Sequence, residues 1–310
     1  MVIQCWNVQK MEWFNVKEKS AGEKRLLLSW YLYKILGTKI AVTIAFFVSL
    51  ITLLTNRDLR EYSKKYFEAL FSYTNNKKYK PSFLNSFRHV YSYAESLVYK
   101  MEAYAGTFRS ENINFMDKPL EKNIYEQIKN KEGIIFICSH VGNIEVLRTF
   151  LTENPDYKPA TVSILLQKDH CNIFNNFINK IGVKLENIKL YPIEEIDFTT
   201  ASELDDDLKN GGMMFVAGDR IAVNNPDKHT EVNFLNKKIY LPQGTFKLAH
   251  ILNYNTYIIN CLKNKNRYDV YVEEQTNKTE EIMLDNYIKF LEKNTLTSPY
   301  QFYHFYDIFK

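Results

Sequence analysis

The chain has 310 residues, 45% hydrophobic and 25% charged, with only 10 glycines and 8 prolines. This is enough to bury one large core or two small ones, and it excludes a disordered, collagen-like or low-complexity chain. The formal net charge of +4 is unevenly placed: residues 1–110 carry 17 Lys/Arg against 8 Asp/Glu, and residues 111–310 carry 23 against 28. The basic third suits an anionic membrane surface or an acidic protein partner, with a solvated face as the plain alternative, and nothing calls for nucleic acid.

Met1 to Asn15 lacks the charged, then apolar, then small-residue pattern of a cleaved signal peptide. Cys5, Cys138, Cys171 and Cys261 are far apart with no CxxC spacing, and the six histidines form no HxxxH or HExxH pair. A reducing compartment and no structural metal are therefore expected. Ile40 to Leu54 contains no charge and is bounded by Lys39 on one side and Arg57 and Arg60 on the other. Crossing a bilayer takes about 20 apolar residues. Extending the run back to Tyr31, with Lys34 and Lys39 snorkelling and Trp30, Tyr31 and Tyr33 near one end, gives a tilted or half-inserted helix; a buried core helix has the same composition.

From Asp58 to Glu102 apolar residues recur at three- and four-residue spacing: Leu59, Tyr62, Tyr66, Phe67 and Leu70, then Phe83, Phe87, Val90, Tyr91 and Ala94 after Pro81. These stripes read as core. Strands and helices then alternate. Ile134–Cys138 reads as a buried strand, Ile144–Leu151 as a helix, Thr161–Leu166 as a strand and Ile173–Ile181 as a helix. Ile188–Ile193 is a strand, Ala201–Leu208 a helix and Met213–Ala217 a strand, with later strands at Thr256–Leu262 and Tyr268–Glu273. This alternation predicts an α/β fold: a largely parallel central sheet with helices on both faces. Residues 1–110 form its helical, membrane-associating N-terminal region, and residues 111–310 the α/β core.

The segment carrying chemistry is Ser139-His140-Val141-Gly142-Asn143-Ile144-Glu145. His140 follows a buried strand, where functional groups of open α/β folds collect. Gly142 permits a tight turn, Asn143 can cap the next helix, and Glu145 falls in its first turn, from which a carboxylate can reach back to the imidazole. Such a pair is what general-base catalysis on a hydroxyl or amine requires. Taken alone, the segment reads sooner as a satisfied histidine at a strand end beside a capping glutamate.

The wider pattern is more specific. HxxxxE after an apolar strand resembles the signature of the bacterial lipid A biosynthesis acyltransferase family, within the lysophospholipid acyltransferase-like superfamily. Phe215-Val-Ala-Gly218-Asp219-Arg220 is similar to that family's strand followed by an acidic turn. Val232 to Ala249, with Phe234, Pro242 and Gly244, resembles its F-x-G … P-x-G segment, and Pro299 to Asp307 resembles its aromatic ending. Trp13 to Tyr66 is similar to the lead-in of a subgroup that accompanies glycosyltransferases. There are departures: Ile144 replaces a tryptophan, Asn236 a glycine and Lys168 an arginine, and Leu241-Pro-Gln-Gly-Thr245 stands in for FPEGT.

The resemblance implies an acyltransferase at the cytoplasmic face of a bacterial inner membrane, with no cofactor. It would move an acyl group from an acyl-carrier protein or acyl-CoA thioester to a hydroxyl or amine of a lipid or glycolipid. His140 and Glu145 would be catalytic; Asn143, Lys168, Asp219, Arg220 and Gly244 would bind substrate, with Arg220 on a phosphate and Asp219 positioning Arg220 or the acceptor. A non-catalytic membrane-associated lipid-binding or scaffold protein of the same fold is the competing reading. No GxSxG elbow, Walker loop or GxGxxG after a strand is present. Cys138 reads as a core residue, and His89, His229, His250 and His304 have no evident partner.

Overall fold

The computed structural model describes residues 23–147, 159–183, 187–221 and 228–309. Three helices come first: α1 (Glu23–Thr55), α2 (Arg57–Thr74) and α3 (Phe83–Tyr104). Their starts follow from local chemistry. Asn56 accepts a hydrogen bond from the Leu59 amide at 3.1 Å, and Ser82, just after Pro81, accepts one from Asn85 at 3.2 Å. Then follow β1 (Ile113–Phe115), α4 (Lys118–Lys129), β2 (Ile134–Gly142), β3 (Val162–Leu166), α5 (Lys168–Ile181) and β4 (Ile188–Pro192). Next come α6 (Phe198–Lys209), β5 (Met213–Ala217), β6 (His229–Phe234) and β7 (Lys237–Pro242). The remaining elements are α7 (Gln243–Leu252), β8 (Asn255–Asn264), β9 (Arg267–Glu274) and α8 (Glu280–Thr297).

Seven strands form one sheet in the order β1-β9-β8-β2-β5-β3-β4. Every neighbouring pair is parallel except β8 with β9. The expected α/β architecture is thus what forms. Alternation along β2 divides the core between the two faces. Ile135 and Ile137 pack with Leu204 and Leu208 of α6, Phe246 of α7 and Tyr287 of α8. Ile134, Phe136 and Cys138 pack on the opposite face with Ile124 and Ile128 of α4. Tyr66, Phe67 and Leu70 of α2 belong to the first of these clusters. Helix α2 therefore shares the core of the sheet.

Two elements differ from the sequence reading. Only a single 3-10 turn, Ile144–Val146, follows β2 before Leu147; the rest of the helix expected to Leu151 lies outside the described residues. The apolar helix also starts earlier than Tyr31 and runs through a break at Gly37, whose φ of 75° and ψ of 170° are not helical. On one face α1 buries Trp30, Tyr33 and Ala41 against Val98 and Met101 of α3 and Phe177 of α5. On the other it exposes Ile35 (76%), Phe47 (57%) and Ile51 (61%). Within Leu26–Thr55 an 18-residue stretch has a mean hydropathy of 2.0, and the helix is long and apolar enough to cross a membrane.

The β6–β7 hairpin stands apart from the main sheet, and its turn residues Leu235 and Asn236 have φ of 50° and 58°. Two successive positive φ angles make the tight turn that suits a twisted hairpin, and asparagine tolerates that region. Asn236 therefore serves where the resemblance has a glycine.

Candidate active site

The site grows from an irregularity in β2. Pairing of β2 with β5 ends at Cys138 with Ala217, while the register with β8 shifts between Cys138 and Gly142, which sits opposite Cys261. Gly142 has φ +84°, and a Cβ there would lie 2.1 Å from the Cys261 carbonyl oxygen. Only glycine fits so close an approach. Beyond Cys138 the parallel strands part, leaving at their carboxyl ends the crevice in which α/β folds place their chemistry. The segment after α8 closes one side of it. Val141 bridges to Phe302, and the Tyr303 amide donates to the His140 carbonyl at 2.8 Å.

His140 and Asp219 meet in this crevice. Nδ1 of His140 is 2.8 Å from Asp219 Oδ1, and the His140 amide donates to Oδ2 at 2.5 Å. Asp219 is 1% exposed and takes a further contact, His304 Nε2 to Oδ2 at 3.0 Å. His304 is itself buried, with Nδ1 2.9 Å from the Tyr306 hydroxyl. Burial alone would raise the Asp219 carboxyl pKa, but His140 and His304 outweigh it and hold the carboxyl well below its usual range. Asp219 is therefore an ion that accepts three hydrogen bonds. Since a carboxylate only accepts, Nδ1 of His140 carries hydrogen, and in the neutral ring that leaves the lone pair on Nε2. The His140 side chain is 33% exposed, in the wall of a cavity of about 580 Å³.

That cavity lies within the size range of small-molecule sites. Much of its wall is apolar, including Leu97 and Tyr104 of α3, Ile164 of β3 and Phe174 of α5, and Leu26 of α1 reaches it. Its polar groups include Lys100, Asn143, Glu145, His170 and Arg220.

The residues singled out in the sequence fare differently. His140, Asn143, Glu145 and Arg220 line this one cavity, and Asp219 stands directly behind His140. The pairing expected between His140 and Glu145 is not what forms. Asp219 occupies Nδ1, and Glu145 makes a salt bridge with Lys100 of α3. The reason is local: one 3-10 turn directs Glu145 toward α3, whereas a helix starting at Asn143 would aim it back at the strand end. Asn143 makes no side-chain cap; it is buried and donates to the Ser96 carbonyl at 3.0 Å. Asp219 holds the two histidines, and Arg220 donates to the Tyr303 carbonyl at 3.4 Å.

Two expected substrate contacts fall outside the cavity wall. Lys168 is exposed and pairs with Glu195 at 2.5 Å. Gly244 is exposed in the first turn of α7, and a Cβ there would meet nothing within 4 Å. Cys138 is buried, and burial pushes its thiol pKa up, so it is no nucleophile. His304 and Lys100 were missed. For His304 the one available signal is an imidazole inside an otherwise aromatic stretch, Phe302 to Tyr306.

Donor atoms of His140, Asp219 and His304 lie within 4.8 Å of one another, the one such metal-competent grouping found among the described residues. The two oxygens of Asp219 are each directed at a different imidazole, and the His140 amide shares one of them. That is the geometry of a hydrogen-bonded relay, with the carboxylate between the rings. The chain matches no protein-family model and no curated protein.

Proposed function

We propose that the chain is a membrane-associated acyltransferase that moves a fatty acyl group from a thioester to a hydroxyl or amine of a lipid or glycolipid. The observation that carries this is His140, held at Nδ1 by a buried, ionised Asp219 and partly exposed in the wall of a mostly apolar cavity. A base in that state takes the acceptor's proton on Nε2 as the acceptor oxygen or nitrogen attacks the thioester carbonyl. The new bond gives a tetrahedral oxyanion. Its collapse breaks the carbon–sulfur bond, and the leaving thiolate takes the proton back from His140. Asp219 stabilises the imidazolium in between. The apolar wall suits the acyl chain, at about 0.8 kcal/mol for each buried methylene. Arg220 supplies a planar fork for a phosphate of donor or acceptor.

The order of motifs along the chain supports the lipid A acyltransferase family, and with it an acyl-carrier protein or acyl-CoA donor at the cytoplasmic face of an inner membrane. The character of α1 supports the membrane. A helix apolar on its packed and its open face is stable only where both are covered. The flanking Arg57 and Arg60 and the basic N-terminal third suit anionic lipid. High salt should leave the full-length protein with the membrane fraction and detergent should release it; complete stripping by salt alone would remove α1 from the bilayer.

Detergent-solubilised protein, given acyl-carrier-protein and CoA thioesters with a lipid extract as acceptor, should release free thiol. His140→Ala should lose on the order of 10²- to 10⁴-fold in rate without unfolding. Lipid that copurifies with the protein while no thioester is consumed would favour the non-catalytic lipid-binding reading.

A further inference from the structure

We propose that His304 is a positioning residue. It holds the Asp219 carboxylate in the one orientation that keeps hydrogen on Nδ1 of His140 and the lone pair on Nε2, facing the cavity. This rests on the reading of His140 as a base.

The hydrogen-bond directions leave little freedom. Asp219 accepts only, so His304 Nε2, 3.0 Å away, carries hydrogen. Burial pushes the His304 pKa below the ordinary imidazole value, which leaves the ring neutral with Nδ1 as an acceptor, and the Tyr306 hydroxyl 2.9 Å away donates to it. The polarity runs one way, from Tyr306 to His304 to Asp219. With His140 on its other side, the carboxylate is gripped from two rings and cannot rotate. The His304 ring lies 4.4 Å from that of Phe302, between centroids. Its neighbour Tyr303 binds the His140 carbonyl at 2.8 Å. One short strip therefore fixes both the main chain of the base and the carboxylate behind it.

The chemical effect follows. A neutral donor at Oδ2 draws off part of the negative charge that Asp219 presents to His140. Without that donor the charge falls more heavily on the His140 ring, which then holds its proton to higher pH. Other groups face the pair. Arg220 and Asp219 come from the end of β5, Cys138 from β2 and Tyr287 from α8. Glu145, Lys100 and His170 line the same cavity, and His89 interacts electrostatically with His304. None of these side chains is itself substituted in a variant at position 304.

The test reads His140 directly. Full-length protein in detergent is treated with diethyl pyrocarbonate from about pH 5 to pH 8, and carbethoxylation of the His140 peptide is followed by mass spectrometry. Two near-isosteric variants are compared. His304→Gln retains an N–H that reaches Asp219, and His304→Met retains bulk without a donor. The midpoint for His140 should rise by about half a pH unit or more in His304→Met and return to the wild-type value in His304→Gln. Thermal unfolding should show both variants folded. Equal midpoints in wild type and His304→Met, or equal displacement in Gln and Met, overturn the proposal. If His304→Met does not fold, His304→Asn, whose amide stops short of Asp219, must show the displacement that Gln lacks, and a wild-type midpoint there overturns it equally. No thioester is involved, so a failed transfer assay and a failed relay are told apart.

Discussion

Asp219→Asn is the sharpest perturbation of the site because it keeps shape and removes charge. The native carboxylate faces three donors: the His140 ring, the His140 amide and the His304 ring. An amide has one acceptor oxygen, and its NH₂ must meet one of those donors. If the NH₂ faces Nδ1, His140 flips its tautomer and Nε2 loses its lone pair. If it faces His304, the buried grip is lost. Hydrogen bonds to a charged group contribute about 1.5–3 kcal/mol each, so one or two lost give about 1.5–6 kcal/mol. At about 1.4 kcal/mol per tenfold, that is on the order of 10- to 10⁴-fold in turnover. The assay is initial-rate thiol release on folded variant. A second reading comes from thermal stability against pH. The folded pKa of Asp219 lies below the unfolded 3.8. Its stabilisation is therefore present above that value and lost as pH falls from it toward the folded pKa. The stability gap between wild type and Asp219→Asn should narrow below about pH 4. A folded Asp219→Asn enzyme within tenfold of wild-type turnover would refute the relay.

Gly142→Ala should lower both stability and activity, because its Cβ would strike the Cys261 carbonyl at φ +84°; about 1–3 kcal/mol in urea unfolding is expected, and an unchanged midpoint contradicts the close approach. Glu145→Gln and Lys100→Met remove the same salt bridge, so their effects should not add in a double-mutant cycle. Each should cost under about 1 kcal/mol in stability and less than tenfold in turnover, and a Glu145→Gln loss matching His140→Ala would restore Glu145 to the chemistry. His89 is fully buried between Ser63 and the Phe302 carbonyl, and burial lowers its pKa from 6.5 to about 4. The unfolded chain therefore takes up a proton that the folded chain refuses, and stability should fall as pH drops from 6.5 to 4, by up to about 3 kcal/mol; His89→Gln should flatten that slope in thermal melts.

What the sequence disclosed and what it hid divide by range. The run Ile134–Cys138 declared a covered strand, and a histidine, a glycine and the parting of two parallel strands followed within four residues. Asp219 and Arg220 were legible for the same reason, as residues just past a second buried strand. The partner of His140 was not. Glu145 sits in the 3-10 turn Ile144–Val146 and pairs with Lys100 of α3, a contact across 45 positions that no local pattern announces. His304 is 85 positions from Asp219, and no local period reports such a meeting. Strand β1 has three residues, too few for an alternation to register. Lys168 and Gly244 were carried by motif position alone, and their surroundings give them no part in the cavity.

The strip from Phe302 to His304 has a consequence for synthesis. On the proposed membrane reading, α1 is available to the bilayer some 250 residues before the strip that binds the His140 carbonyl and Asp219, an interval of roughly ten to fifty seconds at ribosomal speed. For that interval the nascent chain can already lodge at a lipid surface while its imidazole has neither its backbone clamp nor its second ring. On the proposed function, address is written early and reactivity late, so a polypeptide arrested in between would occupy the membrane without consuming thioester.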